Sequence, residues 1–229
     1  TSFRVPDFQR DFVWKRVGEV EEFWQDIEEQ FEDTKEHVSM SESGLFLGNL
    51  ILCNPDDEPN TFQIIDGQQR ITTIFILLIA FRSFLDDLNF DSQKKEITRV
   101  IGNIDEILVF HDLHSGESIG SRFLAAKSVN NILSYMGKPN WKRDFPPKID
   151  KKAIKRQTNK VKPIYDYFSL KINNTVSLQN YHYFFQTINT LTFIKITLVD
   201  YQEAYLFFER TNARGKNLEV GDLLKAHLF

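Results

Sequence analysis

"FQIIDGQQRITTIFILLIAF", Phe62 to Phe81, decides how this chain is read. "TFQIID" is short, β-branched and bounded by turn residues, which predicts a strand. Ile71 to Leu88 is too long and too apolar for a strand and predicts a buried helix. Between them stands a polar knot, Asp66-Gly67-Gln68-Gln69-Arg70. The first main-chain N–H groups of a helix have no partner within it, and the aligned peptide dipoles add partial positive charge there. A strand, a glycine turn and a helix therefore make an anion site, with phosphate the usual occupant. Gly67 lets a phosphate approach without a Cβ in the way, and Arg70 can clasp phosphate oxygens with two parallel hydrogen bonds. Gln68 and Gln69 offer neutral donors and acceptors. Asp66, at the strand's end, can hold Mg²⁺ or orient a water. Taken alone, D-G-x-x-R reads first as a capped helix with an exposed first turn, because short motifs recur by accident.

Working outward, "LFLGNLIL" (Leu45 to Leu52) reads as a strand and "NPDDEPN" as a turn-rich connector, so it and "TFQIID" predict a hairpin. Upstream, Pro6 discourages helix in "FRVPDFQRDFVW", whereas Phe23, Trp24, Ile27 and Phe31 fall at helical spacing. Residues from about Ser92 to Asn180 read as several helices with polar joints, with a loop from Gly137 to Asp150 and a basic helix following it. "TFIKITLV" (Thr192 to Val199) alternates and is β-branched, hence a third strand. "DYQEAYLFFERTN" reads as a helix stopping at "ARGKN", and Leu218 to Phe229 as the start of another. The fold expected is α+β: a small mixed or antiparallel sheet carrying the motif helix, with a larger helical part. The helices from Asp200 onward are expected to fold back toward the knot and bring Arg214 near Arg70.

Of 229 residues, 41% are hydrophobic and 21 are Phe, enough for a sizeable core rich in rings. A net charge of -4 gives no general attraction to nucleic acid or membrane. Binding to DNA would need a local patch, and Lys151, Lys152, Lys155, Arg156, Lys160 and Lys162 form one candidate; an ordinary solvated helix explains them as well. Cys53 is the single cysteine, which fits a reducing cytoplasm. The strongest apolar run, Ile74 to Phe81, is too short to span a bilayer. His111, Asp112 and His114 lack a third ligand nearby in sequence and read as surface residues, not a metal site. Thr1 and the apolar pattern running into Phe229 read as a piece of a longer protein.

Two further stretches gain weight beside the knot. "VPDFQRDFVW" places Gln9, Arg10 and Trp14 close together, a mixture of guanidinium and aromatic groups that suits a nucleotide. In "FFERTNARGKNL", Asn212 and Arg214 stand at a helix stop marked by Gly215 and could offset charge on a phosphoryl group. Alone, each reads more simply as core packing or helix capping. No Walker-type phosphate loop and no G-x-G-x-x-G after a strand is present.

The three stretches in this order resemble the prokaryotic family that includes the S half of the GmrSD modified-DNA restriction enzymes. Its hallmarks look like P-x-[YF]-Q-R-x-[YF]-x-W, [IV]-[IV]-D-G-Q-Q-R-[LI]-T-T and F-x-x-x-N-x-R-G-x-x-L. The chain carries Pro6, Phe8, Gln9, Arg10, Phe12 and Trp14, then Ile64 through Thr73, then Phe208, Asn212, Arg214, Gly215 and Leu218. The resemblance implies a ParB/sulfiredoxin-like core over residues 1–91. A helical region over 92–190 and a returning strand with helices over 191–229 follow. It also implies Mg²⁺-dependent hydrolysis of a nucleoside triphosphate (GTP, ATP or CTP). Gln9, Arg10, Asp66, Arg70, Asn212 and Arg214 are the implied catalytic residues, with Gly67, Gln68, Gln69, Thr72, Thr73 and Trp14 binding nucleotide. The implied role is a cytoplasmic defence sensor, with DNA and an HNH-type nuclease domain as partners. A ParB-like nuclease and a non-catalytic nucleotide- or DNA-binding module are the alternatives.

Overall fold

The computed structural model describes residues 2–6, 9, 12–36, 44–54, 61–88, 94–111, 118–121, 123–124 and 151–212. Strand β1 (Ser2–Arg4) leads into helix α1 (Glu21–Glu36), followed by β2 (Phe46–Cys53), β3 (Thr61–Asp66), α2 (Gln68–Asp87) and α3 (Lys94–Leu108). Short strands β4 (Val109–His111), β5 (Ser118–Ser121) and β6 (Phe123–Leu124) come next. Then follow α4 (Lys151–Thr175), α5 (Tyr181–Asn189), β7 (Thr192–Leu198) and α6 (Tyr201–Asn212). The class is α+β. Leu218 to Phe229 and the loop from Gly137 lie outside the described residues.

The main sheet has the order β6-β1-β3-β2-β7. The expected hairpin is present as an antiparallel β2–β3 pair, and the Thr192 strand pairs parallel with β2. Strand β1 runs parallel to β3 and to β6, so the sheet is mixed. Strands β4 to β6 depart from the helices expected across the middle region. Two to four residues give too little alternation to announce a strand, and β6 exists because β1 offers it an edge.

The pleat sorts the sheet's side chains between two layers. Leu50, Leu52 and Ile64 face the large helical core, whereas Ile51, Cys53 and Ile65 face Ala204 of α6. Helices thus cover both faces at β2 and β3, which explains why Leu50 through Cys53 are buried without alternation. On the helical side α2 packs along α4, and α1 along α5. Phe184 centres this layer, with its ring 4.9 Å from Phe81, 5.4 Å from Phe31 and 6.0 Å from Trp24. Arg82, 6% exposed, clamps α2 to α3 by donating from Nε and Nη2 to Asp105 (2.8 Å for Nη2) and from Nη1 to Asp86 at 2.9 Å.

Candidate functional site

Helix α2 starts one residue beyond β3, and Gly67 makes the junction. Its φ of 98° lies in the left-handed region, and a Cβ there would sit 2.8 Å from Leu50 Cδ1. Only glycine meets both demands without strain. No side chain caps the helix start, and the helix closes its first turn with the Ile71 N–H donating to the Gly67 carbonyl at 3.0 Å.

The knot's side chains divide into two sets. Toward β2, Arg70 donates from Nη1 to the Leu47 carbonyl at 2.5 Å and pairs through Nη2 with Asp66 at 3.4 Å. The side chains of Arg70 and Asp66 keep 23% and 32% of their surface exposed. Gly48, with φ of 92°, prepares this contact. Pairing of β2 with β7 slips by one residue between Phe46 and Asn49, the signature of a bulge. A Cβ on Gly48 would collide with Arg70 Nη1.

Toward the N-terminal segment, Gln69 Oε1 accepts from the Val13 N–H at 2.9 Å and the Trp14 N–H at 3.3 Å. Gln9 Nε2 donates to the Ile65 carbonyl at 2.8 Å, and Gln68 Nε2 donates to Gln9 Oε1 at 3.3 Å. Gln68 and Gln69 are only 8% and 7% exposed. These amides therefore knit Gln9, Val13 and Trp14 to the β3–α2 junction. Thr72 and Thr73 are buried, and their hydroxyls donate back to the Gln68 and Gln69 carbonyls at 2.7 and 2.9 Å.

Among the remaining expected residues, Trp14 stands beside the knot, half-buried. Arg10 and Arg214 lie outside the described residues. Asn212 ends α6, which packs on β2 and β3, on the sheet face opposite the helical core. Among the described residues, no three or more His, Cys, Asp or Glu gather as a metal site. Mg²⁺ commonly needs only one or two carboxylates, completing its octahedron with phosphate oxygens and water. The half-exposed Asp66 carboxylate beside an uncapped helix start fits that modest requirement.

A cavity of about 440 Å³ opens on the Gln69 side. Val13, Trp14, Pro163 and Ile164 form its apolar wall, and Lys15, Arg16 and Lys160 supply positive charge. Lys15, Arg16, Pro163 and Ile164 escaped the sequence reading. The first two directly follow Trp14, so "WKR" was a usable signal; no sequence pattern joins them to α4, about 150 positions away.

A search of curated proteins finds no match. No helix among the described residues is long and apolar enough to cross a membrane. The family model for the GmrSD restriction endonuclease N-terminal domain matches residues 1–229, the whole sequence, and the chain belongs to that family.

Proposed function

We propose that this chain binds a nucleoside triphosphate at the start of α2 and hydrolyses it with Mg²⁺. It would serve as the sensing part of a restriction system directed at modified or foreign DNA. Family membership indicates the restriction role. One observation carries the hydrolase reading: an uncapped, glycine-initiated helix start flanked by the half-exposed Asp66–Arg70 pair.

In this reading the phosphates rest against the first-turn amides of α2, where the helix dipole favours negative charge. Arg70 is already fixed by the Leu47 carbonyl, so little side-chain freedom is lost when it meets a phosphate. Asp66 would hold Mg²⁺, which would neutralise charge on the transferring phosphoryl group. Arg10 and Arg214 are assigned the same task from their motif positions alone. GTP, ATP and CTP are the candidate nucleotides, and DNA and an HNH-type nuclease domain the partners in the complete system.

Phosphate release measured with each nucleotide and Mg²⁺ tests this site. Turnover should fall at least about 100-fold in Arg70→Ala, the scale seen when a transition-state donor is removed. Full activity in that variant refutes the assignment. Nucleotide binding without turnover in the wild type would instead mark a non-catalytic module.

A further inference from the structure

Strand β7 is an outer strand of the main sheet. Along a strand each residue turns its N–H and C=O to the same side, and successive residues alternate. The Thr192 N–H donates to the Leu45 carbonyl at 2.9 Å, and the Leu198 carbonyl accepts from the Asn54 N–H at 3.0 Å. The even-numbered residues of β7 therefore turn their main-chain groups toward β2. Phe193, Lys195 and Thr197 turn theirs outward, where among the described residues the sheet has no further strand.

An edge of this kind is a template for another strand, and proteins blunt it with proline, charge or a bulge in the edge strand. Strand β7, "TFIKITL", has no proline and one charge. The bulge against β2 is on the β2 side of the pair. The one charge, Lys195, bends inward over the sheet, with Nζ 5.3 Å from the centre of the Phe62 ring on β3. The edge is thus left unguarded. It is also apolar. Ile194 lies on the same face of β7 as Leu198, which packs with Ala204 of α6. Helix α6 covers the Leu198 end, whereas Ile194 is 55% exposed and Phe46, in register with Thr192, is 56% exposed.

We propose that two copies of this chain pair their β7 edges antiparallel about a two-fold axis at Ile194, joining their main sheets into one. A two-fold interface must be self-complementary, and β7 meets that demand. On this axis Ile194 faces Ile194 of the second copy, so two exposed apolar side chains cover each other. Phe193 faces Lys195 in both directions, so their outward main-chain groups are exchanged and each ammonium meets a ring. An axis at Lys195 would set two ammonium groups opposite each other, which is destabilising. An axis at Ile196 would centre on a side chain already half-buried.

Pairing needs no triphosphate at α2, so the test is run without nucleotide. Sedimentation velocity on the chain over a dilution series should show a reversible dimer. Lys195→Pro removes an outward N–H and spares the β2 ladder, and it should be monomeric with the circular dichroism of the wild type. Ile194→Lys should raise the dimer Kd at least about tenfold, by removing a buried isoleucine and opposing two charges. Facing residues of a pair that exchanges no hydrogen bonds have Cα atoms about 4.5 Å apart, within disulfide reach. Ile194→Cys should therefore give a disulfide-linked dimer on mild oxidation, and Val199→Cys, 66% exposed but far from the axis, should not; the native Cys53 is buried. A chain that is monomeric at every concentration overturns the proposal and leaves the edge to a strand of another protein. Wild-type dimerisation by Ile194→Lys overturns it as well, even if Lys195→Pro fails to fold, and so does equal cross-linking at positions 194 and 199.

Discussion

Replacing Gln69 with leucine asks whether one amide side chain holds the N-terminal segment to α2. The two side chains are similar in size, so packing at this 7%-exposed position changes little while the acceptor disappears. Two main-chain donors then lose Oε1: Val13 at the near-ideal 2.9 Å and Trp14 at a weaker 3.3 Å. A net hydrogen bond contributes ~0.5–1.5 kcal/mol, and a stranded donor costs more. Val13 is 42% exposed, so water replaces part of the loss. The expected cost is therefore about 1–2 kcal/mol, or roughly 3–6 °C in Tm for a chain of this size. The local readout is sharper. Hydrogen exchange at the Val13 and Trp14 amides should quicken about tenfold, which corresponds to ~1.4 kcal/mol of lost protection. Gln69→Glu keeps an acceptor in place and should restore most of that protection. Unchanged exchange at both amides in the leucine variant would refute the reasoning, and so would equal loss in the glutamate variant.

Two other expectations follow from buried groups elsewhere. Arg82→Met should destabilise by about 2–4 kcal/mol, near the low end for breaking a buried pair, because Asp105 and Asp86 keep 21% and 22% of their side-chain surface in solvent. In a double-mutant cycle with Asp105→Asn the losses should fall short of additive by about 1 kcal/mol or more; additivity by urea unfolding would show that the clamp contributes nothing as a pair. Burial first, and the Asp200 carboxylate second, push the Cys53 thiol above its ordinary 9.0. The unfolded chain then ionises its thiol first as pH rises, so this contribution to stability is complete below pH 9.0 and lost above it. Urea midpoints should fall more steeply above pH 9.0 in the wild type than in Cys53→Ala, and parallel curves would contradict the assignment.

The strand, glycine turn and helix around the knot were legible in the sequence because each rests on local physics. β-Branched residues favour an extended chain, Gly67 alone tolerates its left-handed turn, and an apolar run as long as α2 can only be buried. The basic helix and the Thr192 strand were legible for the same reason, as was family membership, through motifs whose order needs no geometry. The partners of the polar residues were not legible. Gln68 and Gln69 look identical in a linear string, yet 100° of helical rotation separates successive side chains, and Gln69 reaches Val13 and Trp14 while Gln68 meets Gln9. The Leu47 carbonyl that fixes Arg70 depends on a bulge set by pairing with β7, a strand nearly 150 residues later. The cavity beside Trp14 depends in the same way on α4 packing nearby. Local preference thus decided which elements form, and tertiary packing decided which side chains remain for a ligand, because hydrogen-bond partners are chosen by distance in space and not by distance along the chain.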